Sequence, residues 1–430
     1  MRIWLMLAAF GLAACPITAQ EGGLSAKYSR RLEKILSENI APFWIRKSLD
    51  RENGGYIINF GPASEPGAEG PKALVTQARM VWYFARMARA GRDVQQNLAA
   101  AEIGYRFLRE KLWDEKNGGF YWEVDPTGNK KLMPRKHLYG QSYGFYAVSE
   151  YYLASKRPDV LEFATRIFDV LEARAHDKTY GGYIEYFNED WTAPPAGEIS
   201  YMGVPPDWKL MNTHLHLMEA MTTFCRASGL PRARERLLEL MAIDSNAVVR
   251  KDVGACTDKY RRDWTPILDT DFAVVSYGHD VESVWLLIDA CDAAGLPVHP
   301  YLDLFRTLWR YSLKYGYDRS AGGFYESGPI NRNADALRKI WWVEAEAIVS
   351  ALYMYRMTGD SQYLEVFDRT LEFIEKHLVD WRNGEWHEFV TPDGKTGGSK
   401  AHVWKAAYHN GRAMIECLQL LRCLEAVHKQ

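Results

Sequence analysis

Three histidine-bearing stretches of this chain combine residue types that move protons. Between residues 210 and 223, Asn212, His216, Glu219 and Thr223 recur at i, i+4, i+7 and i+11, on one face of a helix. Leu210, His214, Leu217 and Met221 take the opposite side. The flanking residues are apolar, so this polar stripe is expected to face an internal lumen rather than bulk solvent. Between residues 277 and 288, His279 and Glu282 stand one turn apart, while Val281, Val284, Trp285 and Ile288 form a packing face. A carboxylate so placed can hold the proton of one imidazole nitrogen and leave the other free as a base. Between residues 404 and 416 a helical pattern aligns Lys405, His409 and Arg412 with Glu416. Metal ligation is a competing use of imidazoles, but the one close pair, His214 and His216, diverges on a helix.

Such stripes need a scaffold, and the turns between them reveal one. Two glycines followed by an aromatic recur as Gly54-Gly55-Tyr56, Gly118-Gly119-Phe120, Gly181-Gly182-Tyr183 and Gly322-Gly323-Phe324, and in weakened form as Gly384-Glu385-Trp386. The steps between first glycines are 64, 63, 141 and 62 residues, so the long step spans about two periods. A sixth copy is expected near its middle, where Asp252-Val253-Gly254-Ala255-Cys256 lies. Each period carries two helical patterns, as in Val75 to Arg89 and Val94 to Leu112, and Phe120-Tyr121-Trp122 reads as a short extended segment. Six helical hairpins predict an all-α (α/α)6 barrel with a central funnel; an open helical solenoid is the alternative. Residues 61–71 read as a surface loop, no Pro/Gly/Ser-rich linker interrupts the period, and residues 21–430 are expected to form one domain.

Composition is that of a globular chain: 47% hydrophobic and 25% charged over 430 residues, with net charge −2 and no basic block that would suit nucleic acid. The 15 Trp and 25 Tyr exceed what core filling needs, and some are expected to line a groove for sugar faces. Residues 1–20 read as a signal peptide: Arg2, an apolar run from Ile3 to Ala14, then small residues. Leu12-Ala13-Ala14-Cys15 matches a lipobox, and Ile17-Thr18-Ala19 an ordinary cleavage site. The expected destination is the periplasm, soluble or lipid-anchored through Cys15, with no other membrane insertion. Fatty-acid labelling of the wild type against Cys15→Ala decides between the two. Cys225, Cys256, Cys291, Cys417 and Cys423 show neither metal nor disulfide spacing and are expected to be buried free thiols.

Several motifs together resemble the N-acylglucosamine 2-epimerase superfamily, and within it the cellobiose 2-epimerase group. They are Gln77-Ala78-Arg79-Met80-Val81-Trp82, Tyr139-Gly140-Gln141-Ser142, Asn212-Thr213-His214-Leu215-His216 and Tyr277-Gly278-His279-Asp280-Val281-Glu282, followed by Lys339 to Glu346 and Trp404 to Arg412. The resemblance runs from about Leu32 to Glu425. It implies that His279 and His409 form an acid/base pair, with His216 as a third imidazole and Arg79 facing the reacting oxygens. Tyr139, Asn212 and Glu282 would support them. Trp342 or Trp341, together with Trp404, would give the sugar its aromatic platform. Helical spacing favours Trp342, because Glu346 falls on its face one turn later. The implied reaction is epimerisation at C2 of a disaccharide's reducing-end sugar through an enediolate, by a monomer without cofactor. The sequence holds no Gly-rich dinucleotide motif and no P-loop. Three other readings remain open: an aldose–ketose isomerase of the same superfamily, a glycan-binding protein, and an inverting glycoside hydrolase. The hydrolase needs two carboxylates roughly 6.5–9.5 Å apart, with Asp207, Asp263 and Glu346 as its candidates.

Overall fold

Helices alternate along the chain between those apolar around most of their circumference and those with a single apolar stripe. A computed structural model describes residues 20–269 and 271–427. The expected signal peptide and Cys15 lie outside the described residues, apart from Gln20, which opens the first helix. The helices are α1 (Gln20–Lys34), α2 (Ala41–Lys47), α3 (Leu74–Arg89), α4 (Val94–Phe107), α5 (Leu138–Ser155), α6 (Pro158–Arg174) and α7 (Met211–Ser228). They continue with α8 (Pro231–Ala242), α9 (Tyr277–Ala294), α10 (Leu302–Tyr315), α11 (Trp341–Thr358), α12 (Ser361–Phe373) and α13 (Tyr408–Val427). In α5 every residue from Leu138 to Tyr151 is buried, whereas α10 buries one stripe of Phe305, Leu308, Trp309 and their neighbours. A helix that is apolar all round must be enclosed, and one with a stripe covers it.

The odd-numbered helices from α3 to α13 accordingly form an inner ring, each packed on the next, and α13 returns to α3. That last contact closes the barrel and excludes the open solenoid. Outer helices α4, α6, α8, α10 and α12 each back the inner helix before them, and α1 backs α13, so the chain's first helix completes its last hairpin. The protein is an (α/α)6 barrel. No described helix is long and apolar enough to cross a membrane.

The glycine turns join outer helices to inner ones through one repeated device. The fourth residue of each of five inner helices accepts the backbone N–H at the turn's aromatic position: Gln77 from Tyr56 (2.8 Å), Gln141 from Phe120 (2.8 Å), His214 from Tyr183 (3.0 Å), Asp280 from Cys256 (2.9 Å) and Glu344 from Phe324 (2.9 Å). The expected sixth copy at Gly254-Ala255-Cys256 is therefore present, as a hairpin pairing Val249 with Cys256. Gly119 shows why glycine recurs: its φ is +76°, and a Cβ there would meet the Trp191 ring at 2.5 Å. In the weakened copy Glu385 adopts φ +60° and its carboxylate binds Lys405 (3.0 Å) and Asn410 (2.6 Å). Lys405 thus belongs to a buried structural pair. It precedes α13 rather than lying on it, because the helix begins only at Tyr408. The extended segment expected at Phe120–Trp122 is a bridge at Phe120 followed by a strand at Glu123–Val124. Four of the cysteines are buried free thiols, but Cys423 is exposed, on the outward face of α13.

Candidate active site

Because the fourth residue of five inner helices is tied to its turn, and Asn410 of α13 is bound to Glu385 of its own, the helices share one register relative to the lumen. Two residues further on lie Arg79, Tyr143, His216, Glu282 and Glu346, and Arg412 stands two after Asn410 on α13. The repeat thus brings six polar side chains from six helices to one level. Five of them, all but Tyr143, lie in the segments singled out from the sequence.

Two walls face each other there. On one, the Arg79 guanidinium donates to Tyr143 Oη (2.7 Å), Tyr139 Oη (3.2 Å) and the Trp404 carbonyl (2.5 Å), and lies 4.4 Å from the Tyr143 ring centre. Trp404, 37% exposed, forms the lip, its ring 6.1 Å from those of Tyr139 and Trp122. On the other, the half-buried Trp342 ring packs near two imidazoles, 4.8 Å from His279 and 5.9 Å from His409. His216 joins the walls, packed against Tyr139 (5.6 Å) and Tyr143 (5.0 Å). Asn212 sits near the N-terminus of α7, its backbone N–H held by Asp258 (3.0 Å) and its Oδ1 buried without a partner. Trp341 turns into the wall against Lys405 and does not join Trp342.

A charged network links the residues of this level to their neighbours. His409 Nδ1 is 2.6 Å from Glu346 Oε1, and His216 Nδ1 is 3.0 Å from Glu219 Oε2. Arg412, buried at 1% exposure, donates to Glu346 (2.8 Å), Glu282 (2.7 Å) and Glu219. Burial opposes ionisation of Glu346, yet Arg412 and His409 hold it down at about 2, and Arg412 and His216 likewise lower Glu219. Both carboxylates therefore only accept, so each Nδ1 carries the proton and each Nε2 is left with a lone pair. Burial lowers His409 to about 3 and His279 to about 4, and lowers His216, so all three rings are neutral near pH 7. Burial and the adjacent Glu346 charge push Glu282 well above the usual carboxylate range, against Arg412.

The expected pairing of His279 with Glu282 is not formed. Glu282 turns to Arg412, whose charge is the stronger attraction, and the i, i+3 pairing occurs instead at His216 and Glu219. Burial lowers His279, and the Asp258 charge opposes that effect. Sequence reasoning missed Asp258, Tyr143 and Tyr408, and left Arg412 and Glu219 without roles. The repeat itself carries the missing signal: Asp258 stands two residues after its turn, as Glu185, Glu326 and Glu388 do after theirs. Asp207 and Asp263 are exposed on loops, and Glu346 is bound by Arg412, so the carboxylate pair a hydrolase needs is not assembled. Glu282, Glu346 and His409 come close enough to suggest a metal site, but Arg412 donates to both carboxylates and already supplies the cation they need. This donor set does not fit a metal ion.

A family model described as N-acylglucosamine 2-epimerase (GlcNAc 2-epimerase) matches residues 55–413. The chain is 32% identical over 400 residues to a cellobiose 2-epimerase of Ruminococcus albus, covering 90% of this chain and 97% of that one. The solved structure of cellobiose 2-epimerase from Spirochaeta thermophila matches with a TM-score of 0.84 at 32% identity, over 95% of this chain and 100% of that one. A D-mannose isomerase of Marinomonas mediterranea is 25% identical over 407 residues, covering 91% and 97%. Fold, site and relatives define a carbohydrate isomerase built on an (α/α)6 barrel. The chain belongs to the N-acylglucosamine 2-epimerase family.

Proposed function

We propose that this enzyme interconverts the C2 epimers of the reducing-end sugar in a β-1,4-linked disaccharide of the cellobiose or mannobiose type, with His279 and His409 as the two acid/bases. The observation that carries the reading is the packing of both imidazoles against the one Trp342 ring, at 4.8 and 5.9 Å. Trp342 stacks on the reacting sugar, and Trp404 at the lip takes the second. In the open-chain aldehyde the carbonyl acidifies the C2 hydrogen. One neutral imidazole removes that proton, and negative charge develops on O1 and O2 of an enediolate. Arg79, permanently charged, stabilises it. After the intermediate presents its other face, the second imidazole takes up a solvent proton and delivers it to C2, while the first releases its proton to solvent. Each positioned transfer contributes on the order of 10²- to 10⁴-fold. His216 stands beside Tyr139 and the Arg79 wall, where it assists ring opening.

The test is a panel of cellobiose, mannobiose, lactose, N-acetylglucosamine and N-acetylmannosamine incubated with purified enzyme, with the products separated. The 2-epimer of at least one β-linked disaccharide is expected. A 2-ketose as the product would replace this reading with an aldose–ketose isomerase, and activity confined to the N-acetyl sugars would overturn the substrate assignment.

A further inference from the structure

Resting on the histidine assignment above, we propose that Arg412 is a positioning residue that selects the reactive tautomer of both His216 and His409 at once, through Glu219 and Glu346. The contacts form one unbroken chain: His216 Nδ1 to Glu219 at 3.0 Å, Glu219 to Arg412, Arg412 to Glu346 at 2.8 Å, and Glu346 to His409 Nδ1 at 2.6 Å. Arg412 reaches both imidazoles through these carboxylates. Its guanidinium lies 4.3 Å from the Tyr408 ring centre and 4.7 Å from that of Trp285, which hold its plane in place.

The reasoning turns on what a buried carboxyl group does without a cation. Glu219 and Glu346 are 3% and 0% exposed, and an uncompensated buried carboxylate takes up a proton. An ionised carboxylate can only accept from Nδ1–H, which leaves Nε2 with a lone pair aimed at substrate. A protonated one donates to Nδ1, which drives the ring proton onto Nε2 and blocks the base. Neutral carboxyl groups would thus preserve every distance in the site and still disable both imidazoles. Each carboxylate also has a neutral donor, Tyr408 Oη on Glu219 (2.5 Å) and Trp285 Nε1 on Glu346 (2.9 Å). These donors hold geometry without supplying charge. Arg412 is the charge common to both.

The test labels histidine rings with 15N and reads the tautomers of His216 and His409 in the whole enzyme, each assigned by single substitution, alongside kcat and KM. In the wild type both rings are expected as Nδ1–H. Arg412→Met should move both to Nε2–H, with kcat reduced about 10²-fold or more and KM changed only a few-fold. Arg412→Lys keeps the charge but presents one nitrogen, so it should preserve the tautomer of at most one ring and recover part of kcat. It serves as the variant of record if Arg412→Met does not fold. Wild-type rings found as Nε2–H, or both rings unchanged in whichever variant folds, overturn the proposal. The histidine assignment fails by a different result, a His409→Ala enzyme that still epimerises at near wild-type rate.

Discussion

At the scale of single residues, the two imidazoles packed against Trp342 differ in their support. His409 rests on Glu346, whereas His279 is acted on by the Asp258 charge, which favours its charged form against burial. If they serve opposite faces of one enediolate, His279→Ala and His409→Ala should each lose about 10²- to 10⁴-fold in epimerisation. Exchange of the C2 hydrogen with solvent needs only one base, which removes a proton and returns a deuteron on the same face. In D2O one variant should therefore wash deuterium into the glucose-type epimer, and the other into the mannose-type epimer. Both variants labelling the same epimer would rule out the two-base scheme, even with turnover lost.

At the scale of elements, the tie between turn and inner helix sets where every site residue stands. Glu344 holds the place that Gln77 and Gln141 hold in earlier repeats, accepting the Phe324 N–H while fully buried. Burial raises its carboxyl to about 8, from the 4.5 expected of an unfolded chain. Between those values the unfolded state has released a proton that the folded state keeps, so stability falls as pH rises from 4.5 towards 8. Gln77 accepts the Tyr56 N–H and donates to its carbonyl, both at 2.8 Å, and Glu344→Gln can do the same for Phe324. The substitution should stabilise by about 1–3 kcal/mol at pH 8 and by much less at pH 5, with kcat unchanged because the group points away from the lumen. Thermal unfolding at the two pH values checks this, and an equal shift at both would sink it.

At the scale of the molecule, the last hairpin is completed by a helix from the opposite end of the chain. On α1, Tyr28 and Leu32 are buried and Ser25 bonds the Leu421 carbonyl of α13 (3.2 Å), while Arg31 reaches Asp368 and Glu375 at 2.7 Å each. Helix α13 carries His409 and Arg412, so its outer support bears directly on the site. Removing the α1 residues exposes two large side chains' worth of core, about 3–6 kcal/mol. The truncated enzyme should melt earlier and lose turnover together with stability. An unchanged melting curve and unchanged kcat would mean that α13 needs no backing helix.

The number of hairpins, the lumen-facing stripes and the three histidines were legible in the order of residues, because helical faces and turn glycines are local and the repeat multiplies each local signal six times. The preference for Trp342 over Trp341 came from the same source, one turn of spacing from Glu346. Closure of the ring was not legible: six hairpins fit a solenoid as well as a barrel, and only the packing of α13 on α3 and α1 distinguishes them. Nor was the partner of each imidazole. Glu282 is His279's neighbour along the helix yet binds Arg412, 130 residues away, and Arg412 also reaches Glu219 across 193 residues. Local spacing says which groups share a face. Which charges meet depends on how six faces converge, since buried ionic groups pair with whatever opposite charge the closed barrel brings within a few ångströms.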